Sequence, residues 1–310
     1  MKNEHRQSKM PFLVCLITLC VAFFPMGISA ATLHAIIAVD TNDGSIGPSV
    51  RVDLGKMQGL VSNISRYTGL ATAGSAISGN ELNRHNIMSA VESLSVGSDD
   101  VVLFYYAGHG YNPSETAWPA MNLSGDDLPL KTVRETLKAK NPRLLIVMAD
   151  TCNAPGSGGG FDARDAGKAN NYKVLFLKYR GTITASSSEP GEYSYSNATI
   201  GGFYTNAFLN SLTEELVSNQ TPSWDAIMER ANAPLSNGSQ HPQAKVDVEL
   251  IGGGIVDNSD CRNPLDCDEG SVIAPAGNYR GTCQKRYRKG GQKCCLDPQG
   301  REHCWSLTLD

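Results

Sequence analysis

The sequence predicts an α/β fold: a mostly parallel central sheet with helices on both faces, followed by a small disulfide-rich C-terminal module. Three observations support this prediction. Continuous apolar runs rich in strand formers fill residues 32–39, 101–106 and 144–149, as in strands that are buried on both faces. Segments with helical spacing of apolar residues alternate with these runs, which is typical of a parallel sheet. The last fifty residues contain six of the nine cysteines.

The elements follow one another along the chain in an order that suits such a sheet. The first strand, residues 32–39, ends at Asp40 and leads into a turn-rich stretch at 41–48. Apolar residues recur at helical spacing in five segments: 53–67, 80–94, 132–139, 203–216 and 224–231. Two further strands are predicted at 182–185 and 245–250. In sheets of this kind, ligands bind beyond the carboxyl ends of the strands.

The first 31 residues have the features of an export signal. Lys2, Arg6 and Lys9 precede an apolar run at 11–24, and small residues follow at 29–31. We therefore expect residues 1–31 to be a cleaved signal peptide and the mature protein to be secreted or periplasmic. An uncleaved anchor is the alternative, although the apolar run is short for a membrane span. The net charge of -4 argues against nucleic acid as a partner.

The cysteines divide the chain after its signal into two parts. Six of them lie at Cys261, Cys267, Cys283, Cys294, Cys295 and Cys304. An even set in an exported chain predicts a disulfide framework, and the spacing lacks the paired CxxC half-sites of a metal centre. We expect domains at 32–256 and 257–310, joined by a linker near 251–258. The single thiol of the first domain, Cys152, is then the informative one.

His109 and Cys152 are the candidate catalytic residues. Each comes a few residues after an apolar strand, so that both can emerge at the same edge of the sheet. A thiol nucleophile needs a nearby base to form its thiolate, and it needs hydrogen-bond donors where the oxyanion develops. Glycines flank His109, and polar or small residues flank Cys152. The alternatives are a structural histidine and a buried, unreactive cysteine.

Two segments resemble the caspase-like cysteine peptidases, and the metacaspase branch in particular. They are FYYAGHG at 104–110 and LIVMADTC at 145–152, with weaker support from 185–187, 201–205 and 240–243. The resemblance runs from about Leu33 to Val256. It implies a caspase-like fold and an endopeptidase dyad in which His109 moves the proton of Cys152, with the amides of Gly110 and Cys152 forming the oxyanion hole.

The same resemblance implies a substrate pocket. Asp150 and Asp53 match the two pocket acids of metacaspases, and Ser186 is expected in the wall of the substrate cleft. Two carboxylates in one pocket favour a Lys or Arg side chain, so the expected partners are protein or peptide substrates cleaved after a basic residue. Two alternatives remain open at this point: Asp150 can hydrogen-bond its own loop, and Asp53 can cap a helix that begins there.

No cofactor is expected. Some metacaspases need calcium, but the acidic pair Asp126 and Asp127 falls short of the six or more oxygen ligands that calcium takes, so we predict no metal site. Two other functions remain open: a legumain-like peptidase directed to Asn, and a catalytically silent binding protein whose C-terminal module holds a surface or glycan ligand.

Overall fold

A six-stranded sheet forms the centre of the domain. The computed structural model describes residues 31–113, 116–123, 126–152 and 167–251, and three C-terminal strands. The domain has these strands, in chain order: β1 (Thr32–Val39), β2 (Ala71–Ser78), β3 (Val101–Ala107), β4 (Gly110–Tyr111), β5 (Ala120–Met121), β6 (Leu128–Pro129), β7 (Leu144–Asp150), β8 (Tyr179–Ser186), β9 (Ser196–Asn197), β10 (Gly201–Gly202) and β11 (Gln243–Leu250). The order in the main sheet is β11-β8-β7-β3-β1-β2, and only β11 is antiparallel to its neighbour.

In the described part of the chain, six α-helices cover both faces of this sheet. They are α1 (Gly47–Thr68), α2 (Arg84–Ser93), α3 (Leu130–Lys138), α4 (Ala169–Leu177), α5 (Phe203–Val217) and α6 (Trp224–Ala231). Most buried apolar residues of α1, α4, α5 and α6 belong to one core cluster, and those of α2 and α3 belong to a second cluster with the alternate side chains of the strands. The predicted mixed α/β architecture, with a mostly parallel sheet and helices on both faces, is confirmed.

One predicted helix boundary is wrong, and two elements were not predicted. Helix α1 begins at Gly47, six residues before the predicted start at Asp53, because Pro48 occupies the first turn, where its missing N–H costs nothing. Strand β2 escaped prediction because its small residues, ATAGSAIS, are mostly exposed at the edge of the sheet and carry no apolar pattern. Helix α4, residues 169–177, was likewise not predicted.

The strands that matter for function end at the same level. Val39 is in register with Ala107, and Ala107 is in register with Asp150. The chain leaves β1 towards β2 on one side and returns past it to β3, so the gap between β1 and β3 is the point at which the strand order reverses. Ligands bind at such points beyond the carboxyl ends of the strands.

The C-terminal region contributes a separate three-stranded antiparallel sheet. Its strands are β12 (Lys285–Lys289), β13 (Gln292–Leu296) and β14 (Glu302–Ser306), in that order. Residues 1–30 of the predicted signal, the linker beyond Ile251 and the rest of the module lie outside the described residues. The disulfide framework and the domain boundaries therefore stay predictions. Within the part of the chain that the structure describes, no helix is long and apolar enough to cross a membrane.

Arg143 cross-links the opposite end of the sheet, where β7 and β8 begin. The residue is 6% exposed, and its guanidinium donates to the carbonyl oxygens of Asp99 (3.1 Å), Tyr179 (2.8 Å) and Phe176 (2.6 Å). These bonds join the start of β7 to the end of α4 and the start of β8. Since two of the carbonyls are buried, losing the donor leaves them unsatisfied.

We expect Arg143→Met to lower the free energy of unfolding by about 3 kcal/mol, because each unsatisfied buried carbonyl costs about 1–3 kcal/mol. Urea denaturation followed by tryptophan fluorescence measures this change. Arg180→Met is the matched control, since Arg180 is exposed on the neighbouring strand. Equal effects of the two substitutions would contradict this role of Arg143.

Candidate active site

A cavity of about 520 Å³ opens at the carboxyl edge of the sheet, beside the point where the strand order reverses. Its lining comes from the loops after β1, β3 and β7, from α1 and from the segment 194–202. His109, Cys152, Asp53 and Asp150 all line it, and so does Gly110. The structure thus brings five of the six sequence-predicted site residues to one cavity.

Cys152 lies two residues beyond the end of β7 and is partly buried. Its Sγ donates a hydrogen bond to the carbonyl oxygen of Ser194 at 3.5 Å. Burial raises the pKa of the thiol, and the nearby carboxylate of Asp150 raises it further. A thiol in this environment holds its proton, so it needs a base before it can act as a nucleophile.

His109 lies two residues beyond the end of β3, with its side chain 43% exposed. Its carbonyl oxygen accepts from the hydroxyl of Tyr106 (2.7 Å) and from the amide of Asn122 (2.9 Å), which fixes the backbone of the loop. Its Nε2 atom lies 3.2 Å from Oδ2 of Asp43. Among the described residues, no hydrogen bond joins His109 to Cys152.

Gly110 lets the histidine loop approach the nucleophile loop. A Cβ atom at this position would lie 2.2 Å from Oγ1 of Thr151 and 2.6 Å from the carbonyl oxygen of Ala120. Both distances are shorter than any real contact of a Cβ atom, so only glycine fits. The residue after the imidazole therefore packs against the residue before the thiol.

Asp150 is buried at the end of β7 and is held by residues from other segments. Its Oδ1 accepts from Ser194 Oγ at 2.7 Å, and its Oδ2 accepts from the amide (2.9 Å) and the hydroxyl (2.7 Å) of Thr205. Burial raises its pKa. The alternative that this carboxylate serves only its own loop is wrong, because Ser194 and Thr205 lie far along the chain.

Asp53 lies inside α1 and is 1% exposed. Both of its carboxylate oxygens accept from the amide of Gly202 at 2.9 Å. Burial, together with the charge of Asp150, raises its pKa to about 8. The alternative that Asp53 caps the start of a helix is wrong, because the N-cap residue of α1 is Ile46.

Gly202 brings the two acids together. A Cβ atom there would lie 2.1 Å from Oδ2 of Asp150 and 3.2 Å from Oδ2 of Asp53. The backbone thus passes directly against both carboxylates. Mutual repulsion and burial favour a protonated carboxyl in the pair when the cavity is empty.

Ser186 lies outside the cavity lining. It is fully buried at the end of β8, its hydroxyl donating to the carbonyl oxygen of Ser188 (3.1 Å) and accepting from Gln243 (3.1 Å). Residues 194–196 line the cavity instead.

Four residues of the site were not predicted as such. Ser194 and Asp43 lie in irregular loops without a distinctive sequence pattern. Gly202 and Thr205 belong to the segment 201–205 quoted for the resemblance, but the sequence analysis gives them no role.

The acidic pair Asp126 and Asp127 has other side chains as partners. Arg84 donates to the Asp126 carboxylate at 3.4 Å, and the Asp127 carboxylate accepts from the Tyr111 hydroxyl at 2.7 Å. Across the described ranges, no group of three or more His, Cys, Asp or Glu side chains is arranged to hold a metal ion.

Comparison with known proteins identifies the family to which the chain belongs. A family model described as the caspase domain matches residues 48–248, which is more than half of the chain and includes His109, Cys152, Asp53 and Asp150. Among solved structures, a Geobacter sulfurreducens protein from a structural genomics programme is 13% identical, with 70% of this chain and 93% of that chain covered and a TM-score of 0.47. No curated protein matches the chain significantly.

The raised pKa of Asp53 predicts a pH dependence of stability. Because the folded pKa of about 8 exceeds the usual 3.8, the folded state retains the proton longer, and this contribution to stability is lost as pH rises through about 8. Wild type should therefore lose about 8–16 °C more in Tm than Asp53→Asn between about pH 5 and about pH 8, since each pH unit costs about 1.4 kcal/mol and each kcal/mol is worth about 2–4 °C at this domain size. Differential scanning calorimetry measures this difference.

Asp126→Asn is the control for that experiment, since it removes an exposed carboxylate outside the cavity lining. It should keep the wild-type dependence on pH. A slope for Asp53→Asn equal to that of wild type would contradict the burial of an acidic proton at this position.

Proposed function

Because the chain belongs to the caspase-domain family of peptidases, we propose that it is an exported cysteine endopeptidase that hydrolyses peptide bonds after Lys or Arg. Its substrates are proteins or peptides, as membership of a peptidase family implies. The observation that carries the proposal is that an imidazole, a thiol and two buried carboxylates from distant parts of the sequence line one cavity of about 520 Å³.

In this proposal His109 and Cys152 act as a dyad. His109 takes the proton of the Cys152 thiol, and the thiolate sulfur attacks the substrate carbonyl carbon to form a tetrahedral intermediate. The imidazolium then gives the proton to the leaving amine, and the C–N bond breaks to leave a thioester. A water molecule, deprotonated by His109, hydrolyses the thioester and regenerates the thiol.

Two features support the need for this base. The pKa of the Cys152 thiol is raised by burial, so the resting sulfur is protonated and weakly nucleophilic. The sulfur donates its hydrogen bond to the carbonyl oxygen of Ser194, so the thiol must give up this bond before its proton can pass to the imidazole. The amides of Gly110 and Cys152, both at the cavity, are the proposed donors to the oxyanion.

The pocket acids account for the proposed specificity. Asp53 and Asp150 are buried beside one another, and a cationic Lys or Arg side chain would relieve their repulsion while both carboxylates ionise. An Asp side chain in the substrate would add a third negative charge. An Asn side chain would leave the repulsion in place, which disfavours the legumain-like alternative.

A catalytically silent binding protein is the second candidate. What favours it is the absence, among the described residues, of a hydrogen bond between His109 and Cys152. Unliganded catalytic sites often contain long or misaligned hydrogen bonds that tighten only with substrate, so we prefer the peptidase.

We further propose that residues 1–31 are removed during export to the periplasm or exterior, and that residues 257–310 form a disulfide-stabilised module with a surface or glycan ligand. The cysteine pattern of the module and the charged and apolar runs of the leader support this arrangement. Intact-mass spectrometry of the secreted protein, with and without reduction, tests both parts.

The function is tested with fluorogenic peptides that differ only in the residue before the scissile bond. We expect kcat/KM for Arg and Lys to exceed that for Asn and Asp by about 100-fold or more, because the pocket leaves other side chains without a charge partner. Cys152→Ala and His109→Ala should each lower kcat by about 10⁴-fold or more.

His85→Ala is the matched control, since His85 is exposed on α2, away from the cavity. Its kinetics should equal those of wild type. Preference for Asn would replace the proposed specificity by the legumain-like one, and activity unchanged by Cys152→Ala would contradict a thiol peptidase. A peptide electrophile ending in Arg should label Cys152 alone, as peptide mapping by mass spectrometry can show.

A further inference from the structure

Asp43 approaches the imidazole of His109 from the turn that follows β1. Its Oδ2 atom lies 3.2 Å from Nε2 of His109, a residue that lines the cavity. Neither proton transfer by His109 nor attack by Cys152, as described for the dyad, involves this contact. Asp43 lies three residues before the N-cap of α1, where sequence analysis predicted only a turn.

The two oxygens of the Asp43 carboxylate have different partners. Oδ1 accepts three hydrogen bonds: from the amide (2.7 Å) and hydroxyl (2.5 Å) of Ser45 and from the amide of Ile46 (2.9 Å). Oδ2 faces His109. The hydrogen bonds to Ser45 and Ile46 thus fix the orientation of the carboxylate and leave its second oxygen aimed at the ring.

The charge on Asp43 is also secured. Hydrogen bonds from Ser45 and Ile46 lower its pKa to about 2, and the charge of His109 contributes in the same direction. Asp40, the other carboxyl near this ring, has a raised pKa because it is partly buried and lies beside Asp43. Of these two carboxyls, Asp43 is the one whose ionised form its surroundings favour.

We infer that Asp43 is a positioning residue that makes the catalytic group a triad: its carboxylate accepts the Nε2 proton of His109 and so leaves the Nδ1 lone pair to take the thiol proton of Cys152. This inference rests on the proposed peptidase function. When the thiol proton moves to Nδ1, the ring becomes an imidazolium, and Oδ2 stabilises its charge while Nε2 keeps its proton. The carboxylate itself takes no proton.

Asp43→Asn tests the inference because Asn can keep the turn and still disturb the ring. Its amide oxygen can accept from Ser45 and Ile46, which leaves an NH₂ donor facing Nε2. That donor favours the tautomer with the proton on Nδ1, in which His109 cannot accept from Cys152. We expect kcat to fall by about 100-fold or more with KM within about threefold of wild type, since Asp43 acts through His109.

Two-dimensional ¹H–¹⁵N NMR of the His109 ring gives a readout that does not require turnover. The neutral ring of wild type should carry its proton on Nε2, and that of Asp43→Asn should carry it on Nδ1. Asp126→Asn, which removes an exposed carboxylate elsewhere, should leave both the tautomer and kcat unchanged. Circular dichroism establishes that each variant is folded.

The outcomes separate this inference from the peptidase proposal. A wild-type protein that hydrolyses no peptide contradicts the proposed function, whatever the tautomer. An active wild type with an Asp43→Asn variant of equal kcat overturns the role of Asp43. If wild-type His109 carries its proton on Nδ1, the inference also fails, whether or not the protein is active and whether or not the variant folds.

Discussion

The functional site depends on three parallel strands that end in register. Val39, Ala107 and Asp150 are lateral neighbours at the ends of β1, β3 and β7, and the amides of Asp40 and Gly108 continue the ladder to the carbonyl oxygens of Ala107 and Asp150. Three loops therefore leave the sheet at one level, side by side. Their side chains converge over the sheet although the three loops are far apart in the sequence. A slip of one residue would turn every side chain of a strand to its opposite face.

The convergence requires burying charge, and the local structure compensates for this. Carboxylates rarely lie in protein interiors unless they are paired or hydrogen-bonded. Asp150 receives three hydrogen bonds from Ser194 and Thr205, and Asp53 receives a bifurcated one from Gly202. Those donors come from the segment 194–205, which follows β8 and ends in the first turn of α5. This segment thus closes the cavity and at the same time satisfies the acids at its base.

Much of this arrangement could be predicted from the sequence, and the rest could not for identifiable reasons. The apolar strands gave the sheet, and the motifs around His109 and Cys152 gave the family, which the family model confirms. Asp43 and Ser194 could not be found in this way, because their positions follow from turns and loops whose course depends on packing. Ser186 illustrates the converse: the sequence analysis expects it in the wall of the substrate cleft, but at the end of β8 its side chain is fully buried. Residue type predicts what a side chain can do, and only tertiary structure decides what it faces.

The buried acid pair would also couple ligand binding to the release of a proton into the solvent. With its pKa near 8, Asp53 carries a proton through much of the neutral range when the cavity is empty. A guanidinium or ammonium group arriving beside it would favour ionisation and expel that proton to bulk water. Binding would then be an ion exchange, in which the cationic group enters the cavity and one proton leaves it. The heat of binding would accordingly include the ionisation enthalpy of whichever buffer collects the proton, and affinity would grow as the medium becomes more alkaline.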